Sequence, residues 1–127
     1  MQQDYIVRQA QMLAQVLAQV LFNKRSDQPV LAQQALAEGL VRALGLDLAK
    51  LRGLSRGETV ALFAPGGAFA GETAVALAEV LAQDTSPDGR RRALWLYEWA
   101  LVSGGAVPFD VHERLTSLRA SLPPPVS

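Results

Sequence analysis

Asp4-Tyr5-Ile6-Val7-Arg8-Gln9-Ala10-Gln11-Met12-Leu13-Ala14-Gln15-Val16-Leu17-Ala18-Gln19-Val20-Leu21-Phe22-Asn23 is the stretch on which the reading of the fold turns. Ile6, Ala10, Leu13, Leu17 and Val20 recur at spacings of four and three, which puts them on one side of a 3.6-residue helix. Tyr5, Met12 and Val16 widen that stripe, while Arg8, Gln11, Gln15 and Gln19 take the opposite face. Asp4 suits the N-cap, because its carboxylate can accept from the open backbone N–H groups of a first turn. The uncharged glutamine face is expected to be solvated, with a polar helix–helix contact as the alternative. A first helix over about 4–23 follows.

The same grammar repeats downstream. Ser26 or Asp27 can cap a second helix, and Pro29 fits its first turn, where a missing N–H costs nothing. That helix runs to about Leu44, with Gly45 as the residue that stops it. Gln34, Glu38 and Arg42 form its wet edge, and so short a connection between long helices implies an antiparallel hairpin. Asp47 can cap a short helix carrying Leu48 and Leu51, ended by Gly53. Ser55-Arg56-Gly57-Glu58 has the S-x-x-E spacing of a capping box for a helix through Phe63, ended by Pro65-Gly66-Gly67. Three further helices are expected: about 70–83, one from Ser86-Pro87 to before Gly104-Gly105, and about 108–122. The expectation is one all-α domain over 1–122, a compact bundle of antiparallel hairpins with about five to seven helices. A proline-rich flexible tail over 123–127 completes it.

Composition supports this and narrows function. Alanine and leucine, both strong helix formers, supply 40 of the 127 residues. Half the chain is apolar and 19% is charged, enough for a core and too little charge for disorder. Twelve basic residues balance twelve acidic ones, which removes the electrostatic argument for nucleic acid or an anionic membrane surface. With no cysteine, disulfides and thiolate chemistry are excluded. Met1-Gln2-Gln3-Asp4 lacks the cationic start of a secretory leader, and no apolar run approaches the ~18 residues of a membrane span. A soluble, cytoplasmic protein is expected.

Two stretches echo each other. Leu17-Ala18-Gln19-Val20-Leu21 matches Leu77-Ala78-Glu79-Val80-Leu81. Ala32, Leu36 and Gly39 then follow the first, and Ala93, Tyr97 and Ala100 the second, with the same small–large–small spacing. This is similar to the tetratricopeptide pattern, in which small residues let antiparallel helices approach. The copies stand about 60 residues apart and lack a tandem third, so tetratricopeptide-like hairpins are expected without an extended solenoid or its peptide groove. The opening Asp4-Tyr5-Ile6-Val7-Arg8, the Gly45-Leu46-Asp47 after the second helix, and the hairpin near 74–102 resemble a family of small bacterial all-helical proteins. That resemblance implies the fold; the family carries no assigned activity.

Motifs that could carry chemistry fail on inspection. Gly66-Gly67-Ala68-Phe69-Ala70-Gly71-Glu72-Thr73 fits a phosphate-binding loop except at the lysine, where Glu72 would repel phosphate. The motif also requires a preceding strand, and 59–64 reads as helix. Arg90-Arg91-Arg92 is the one charge cluster; a solvated turn paired locally with Asp84 and Asp88 is expected, with a partner or phosphate contact as the alternative. His112 is the only histidine and is expected at the surface: with no cysteine or second histidine a zinc site lacks its ligands, and no Ser-His-Asp arrangement can be argued beyond this one isolated imidazole. Glu72 and Glu79 share a helical face as ordinary solubilising carboxylates. No catalytic residue, cofactor or metal is expected, and the chain is not read as an enzyme.

The segment 93–102 is more informative. Trp95, Trp99 and Val102 form one stripe, and Leu94, Tyr97 and Leu101 an adjacent one better placed to fill the core. Glu98 alone interrupts the apolar run, and a helix apolar nearly all round needs cover on most sides. The leading expectation is a non-catalytic protein-interaction or structural domain that acts as a homodimer through Trp95, Trp99 and Val102. The alternative is a small-molecule-binding domain with an apolar pocket near Trp95, Trp99 and Phe63.

Overall fold

The computed structural model describes residues 2–124, and seven helices lie among them. They are α1 (Gln2–Arg25), α2 (Pro29–Leu44), α3 (Leu48–Arg52), α4 (Arg56–Ala61), α5 (Thr73–Leu81), α6 (Pro87–Val102) and α7 (Val111–Ser121). No strand occurs among the described residues. Helix α1 packs on α2 as an antiparallel hairpin and also on α5; α5 pairs with α6, and α6 carries α7, α4 and α3. The all-α bundle of antiparallel hairpins is therefore present, with α6 as its most shared element.

The boundaries follow local chemistry, with corrections. Gly45 ends α2 with φ 67°, and its N–H closes on the carbonyl of Val41 at 2.8 Å, the left-handed stop that glycine allows. The capping box is complete: Glu58 N–H donates to Ser55 Oγ at 3.1 Å, and Ser55 N–H donates to Glu58 Oε1 at 3.0 Å. Ser86 Oγ likewise accepts from Asp88 N–H, with Pro87 in the first turn. Asp4 lies inside the first turn of α1 instead of capping it, since the helix starts at Gln2. Neither Ser26 nor Asp27 caps α2; Gln28 takes that position without a side-chain bond, because Asp27 turns the chain at φ 58°. Helix α5 starts at Thr73 instead of near Ala70, because Phe69 N–H is drawn to the carbonyl of Leu62 at 2.9 Å and folds the glycine segment back on α4.

The core lies along the contact of α1, α2, α5 and α6. Leu13, Val16, Val20, Leu36, Leu40, Leu77, Leu81, Leu96 and Tyr97 are essentially inaccessible. On α1 the buried line is Gln9, Leu13, Val16 and Val20, while Ile6, Ala10 and Leu17 are half-buried. The stripe is wide because α1 serves two neighbours. On α6 the core face is Ala93, Leu96, Tyr97 and Ala100; Leu94 and Leu101, expected there, are half-buried. Gly39 sets the α1–α2 approach, since a Cβ there would lie 2.5 Å from Val16 Cγ1. Pro123 and Pro124 follow α7 in exposed, non-helical backbone, and 125–127 of the expected tail lie outside the described residues.

Candidate functional site

The C-terminal end of α6 meets the glycine-rich segment between α4 and α5, and a groove of about 510 Å³ opens between them. Half-buried Phe69, Val75 and Trp99 supply its apolar walls, with the buried Phe63 next to them. Phe63 and Phe69 stack at 5.6 Å between centroids with their planes tilted by 32°, within the range aromatic pairs prefer. The segment can hug the helix because it is almost bare of side chains. Gly66 turns at φ 86°, and a side chain at Gly67 would run into the carbonyls of Ala61 and Leu62. At Gly71 the backbone passes the indole edge, where a Cβ would stand 3.6 Å from Trp99 Cη2. Glu72 is the one charged residue lining the groove among the described residues.

Each residue singled out in the sequence has a definite place. Trp99 is half-buried and lines this groove together with Phe63, whereas Trp95 stands outside it. Trp95 carries its own cation: the Arg92 guanidinium carbon lies 4.6 Å from the ring centroid. Val102, at 88% exposure, projects into solvent past the end of α6's packed surface. Phe109, in the α6–α7 connection, is fully exposed. Trp95, Trp99 and Val102 thus share a side of α6 while occupying three different environments.

Two of the cluster's three arginines, Arg90 and Arg92, are tied into the fold instead of left to solvent. Arg92 is 9% exposed and donates through Nε and Nη2 to the Leu54 carbonyl, and through Nη1 to the Asp88 carbonyl at 3.1 Å. Arg90 donates to the carbonyls of Asp84 and Thr85 and to Ser121, tying the α5–α6 turn to the end of α7. The expected local pairing exists through backbone carbonyls of Asp84 and Asp88, not through their carboxylates. Burial lowers the Arg92 pKa, with the Asp88 charge working against that.

Asp84 is committed elsewhere. Its carboxylate, with a side chain wholly out of solvent, takes Arg52 Nη2 at 2.6 Å and Nε at 2.9 Å, Gln33 Nε2 at 2.9 Å and Ser86 N–H at 3.2 Å. Burial alone would push this carboxyl up; the bonds from Arg52, Ser86 and Gln33 outweigh it and hold the pKa below the ordinary value. Gly89 leaves room for that carboxylate, which a Cβ there would strike. Asp84 and Arg52 stand 32 residues apart, and no motif in the sequence joins them.

A second opening, about 420 Å³, lies between α1, α5, α6 and α7 and has a polar floor. Arg114 there donates to Tyr97 Oη at 3.3 Å and to Asp110 at 3.0 Å, and pairs with Glu79 at 3.5 Å. Burial raises the Tyr97 pKa, the Arg114 bond opposing it. Glu79 therefore belongs to this cleft and Glu72 to the groove, so the two carboxylates do different work. His112 is exposed, and no group of three metal-ligating side chains occurs among the described residues. The phosphate-loop segment is preceded by helix α4, and Glu72 stands where the cation would be required. No helix among the described residues is long and apolar enough to cross a membrane. Neither a protein-family model, nor a curated protein, nor a solved structure matches this chain.

Proposed function

We propose that this chain is a non-catalytic helical interaction domain that captures an apolar group of a protein partner in the groove at Trp99. The observation carrying this is the groove itself, along which Phe69, Val75 and Trp99 are half-buried next to the buried Phe63. Aromatic side chains that are half-buried in the free protein bury their remaining surface on binding, which is where interface energy concentrates. The polar clusters support the non-catalytic part of the reading. Asp84, Arg52, Arg90, Arg92 and Arg114 are engaged in joining one helix to another. The hairpins support a tetratricopeptide-like reading, with Ala32, Leu36 and Gly39 buried in one and Ala93, Tyr97 and Ala100 in the other. The echo is partial, because Ala18 is exposed where Ala78 is buried.

The test is the indole N–H spectrum, where each tryptophan gives one signal. An apolar probe such as 1-hexanol shifts the Trp99 signal and leaves Trp95, covered by Arg92, in place; a silent Trp99 at saturating probe sinks the groove reading. A second copy of the chain is one form of the partner. Sedimentation then shows concentration-dependent association that Trp99→Ala weakens, and a wild type monomeric at high micromolar concentration removes the homodimer. A second reading, a small-molecule-binding domain, is favoured by the groove's volume, which falls inside the range of ligand pockets.

A further inference from the structure

The two tryptophans of α6 stand in different electrostatic surroundings. Trp95 has the Arg92 guanidinium 4.6 Å from its ring centroid, the attraction of a cation for the negative face of an aromatic ring. Trp99, one turn further, is gathered with Phe63 and Phe69 in a groove that contains no basic residue among the described residues. The one charged residue lining that groove among the described residues is Glu72. That carboxylate forms no hydrogen bond and no ion pair among the described residues, and it does not cap α5 although it occupies the N-cap position. The start of α5 contributes roughly half a positive charge, so Glu72 leaves the groove mouth net negative. We propose that the Trp99 groove takes a lysine or arginine side chain of a protein partner, whose cation meets Glu72 while its hydrocarbon stem lies against Trp99 and Phe69.

This inference rests on the groove reading above and adds the charge of what binds. An aromatic surface alone attracts apolar groups of any charge; aromatic rings beside an uncompensated carboxylate discriminate. Arg92 demonstrates the guanidinium form of the interaction within the same helix. For a partner protein, the matching feature is a lysine or arginine flanked by aliphatic residues.

Three six-carbon probes separate the possibilities: hexylammonium, 1-hexanol and hexanoate, each followed by the Trp99 indole signal. Hexylammonium is expected to bind about fivefold to tenfold more tightly than hexanol, with hexanoate weakest, from the size of a partly desolvated cation–aromatic contact together with a nearby carboxylate. In Glu72→Gln, checked for its fold by circular dichroism, the ratio of ammonium to alcohol affinity falls towards one. Equal binding of ammonium and alcohol by wild type, or an unchanged ratio in Glu72→Gln, overturns the charge selection while leaving the groove intact. No response to any probe overturns the groove itself. Competition of hexylammonium by acetyl-Leu-Lys-Leu-amide supports a protein side chain as the occupant, and failure of that peptide to compete at millimolar concentration overturns it.

Discussion

Replacing Asp84 with asparagine attacks the joint on which four parts of the chain meet. The carboxylate holds Arg52 of α3 through two bonds, Gln33 of α2 through one, and the backbone of Ser86 before α6 through another. Asparagine keeps one acceptor but turns a donor amide towards the guanidinium and removes the charge. Losing one partner of a buried ion pair costs about 3–5 kcal/mol. Arg52 retains 29% side-chain exposure, so water recovers part of its solvation and the lower end, about 3 kcal/mol, is expected. For a domain of this size that is a fall in Tm of roughly 10 °C. Denaturant unfolding of both proteins measures it, and the pH dependence identifies its origin. Because the folded-state pKa of Asp84 is depressed, its contribution is complete above the unfolded carboxyl pKa of about 3.9 and is lost as pH falls through the lower folded value. The stability gap between wild type and Asp84→Asn therefore stays constant from pH 7 to about pH 5 and closes towards pH 2. A gap under about 1 kcal/mol at pH 7, the scale of an exposed pair, or one that does not shrink in acid, refutes the assignment of Asp84 as a buried ionic joint.

Gly89→Ala tests the same joint from the other side. In an ordinary helix interior the change stabilises by about 0.5–1 kcal/mol, but here the new Cβ strikes the Asp84 carboxylate, so the melting temperature is expected to drop; a rise shows that the site has slack. Gly39→Ala drives a methyl against Val16 Cγ1 and Cγ2, an overpacking that costs about 1–3 kcal/mol, and Val16→Ala in the same chain is expected to recover part of it. A double variant no better than the worse single one would mean that α1 and α2 do not meet there. Magnesium with ATP or GTP is expected to leave Tm unchanged, because Glu72 replaces the lysine of a phosphate loop; binding at micromolar Kd under millimolar nucleotide would add about 4 kcal/mol and be plain in a melting scan.

What could be read from the sequence alone is what depends on neighbours within one or two turns. The helical period of residues 4–23, the Ser55–Glu58 box, the Ser86-Pro87 start and the Gly45 stop are local geometry, and each appears in the folded chain. The absence of cysteine and the single histidine likewise bounded the chemistry before any fold was known. The direction each helix turns its faces was not legible in this way. Leu94, Leu96 and Leu101 are equivalent in hydrophobicity, yet Leu96 alone of the three is fully buried, because the positions of α3, α4, α5 and α7 around α6 choose the face. The Arg90–Arg92 run looked like surface charge, and the carbonyls that accept Arg92 come from Leu54, 38 residues away, as well as from Asp88 on its own helix. Trp95 and Trp99 share one stripe in sequence but part company in space, one beneath Arg92 and the other facing a loop that glycines fold back. Periodicity reports that a side chain wants cover; which neighbour supplies it is decided by contacts distant in sequence, and for Asp84 and Trp99 those exist only once the helices have packed.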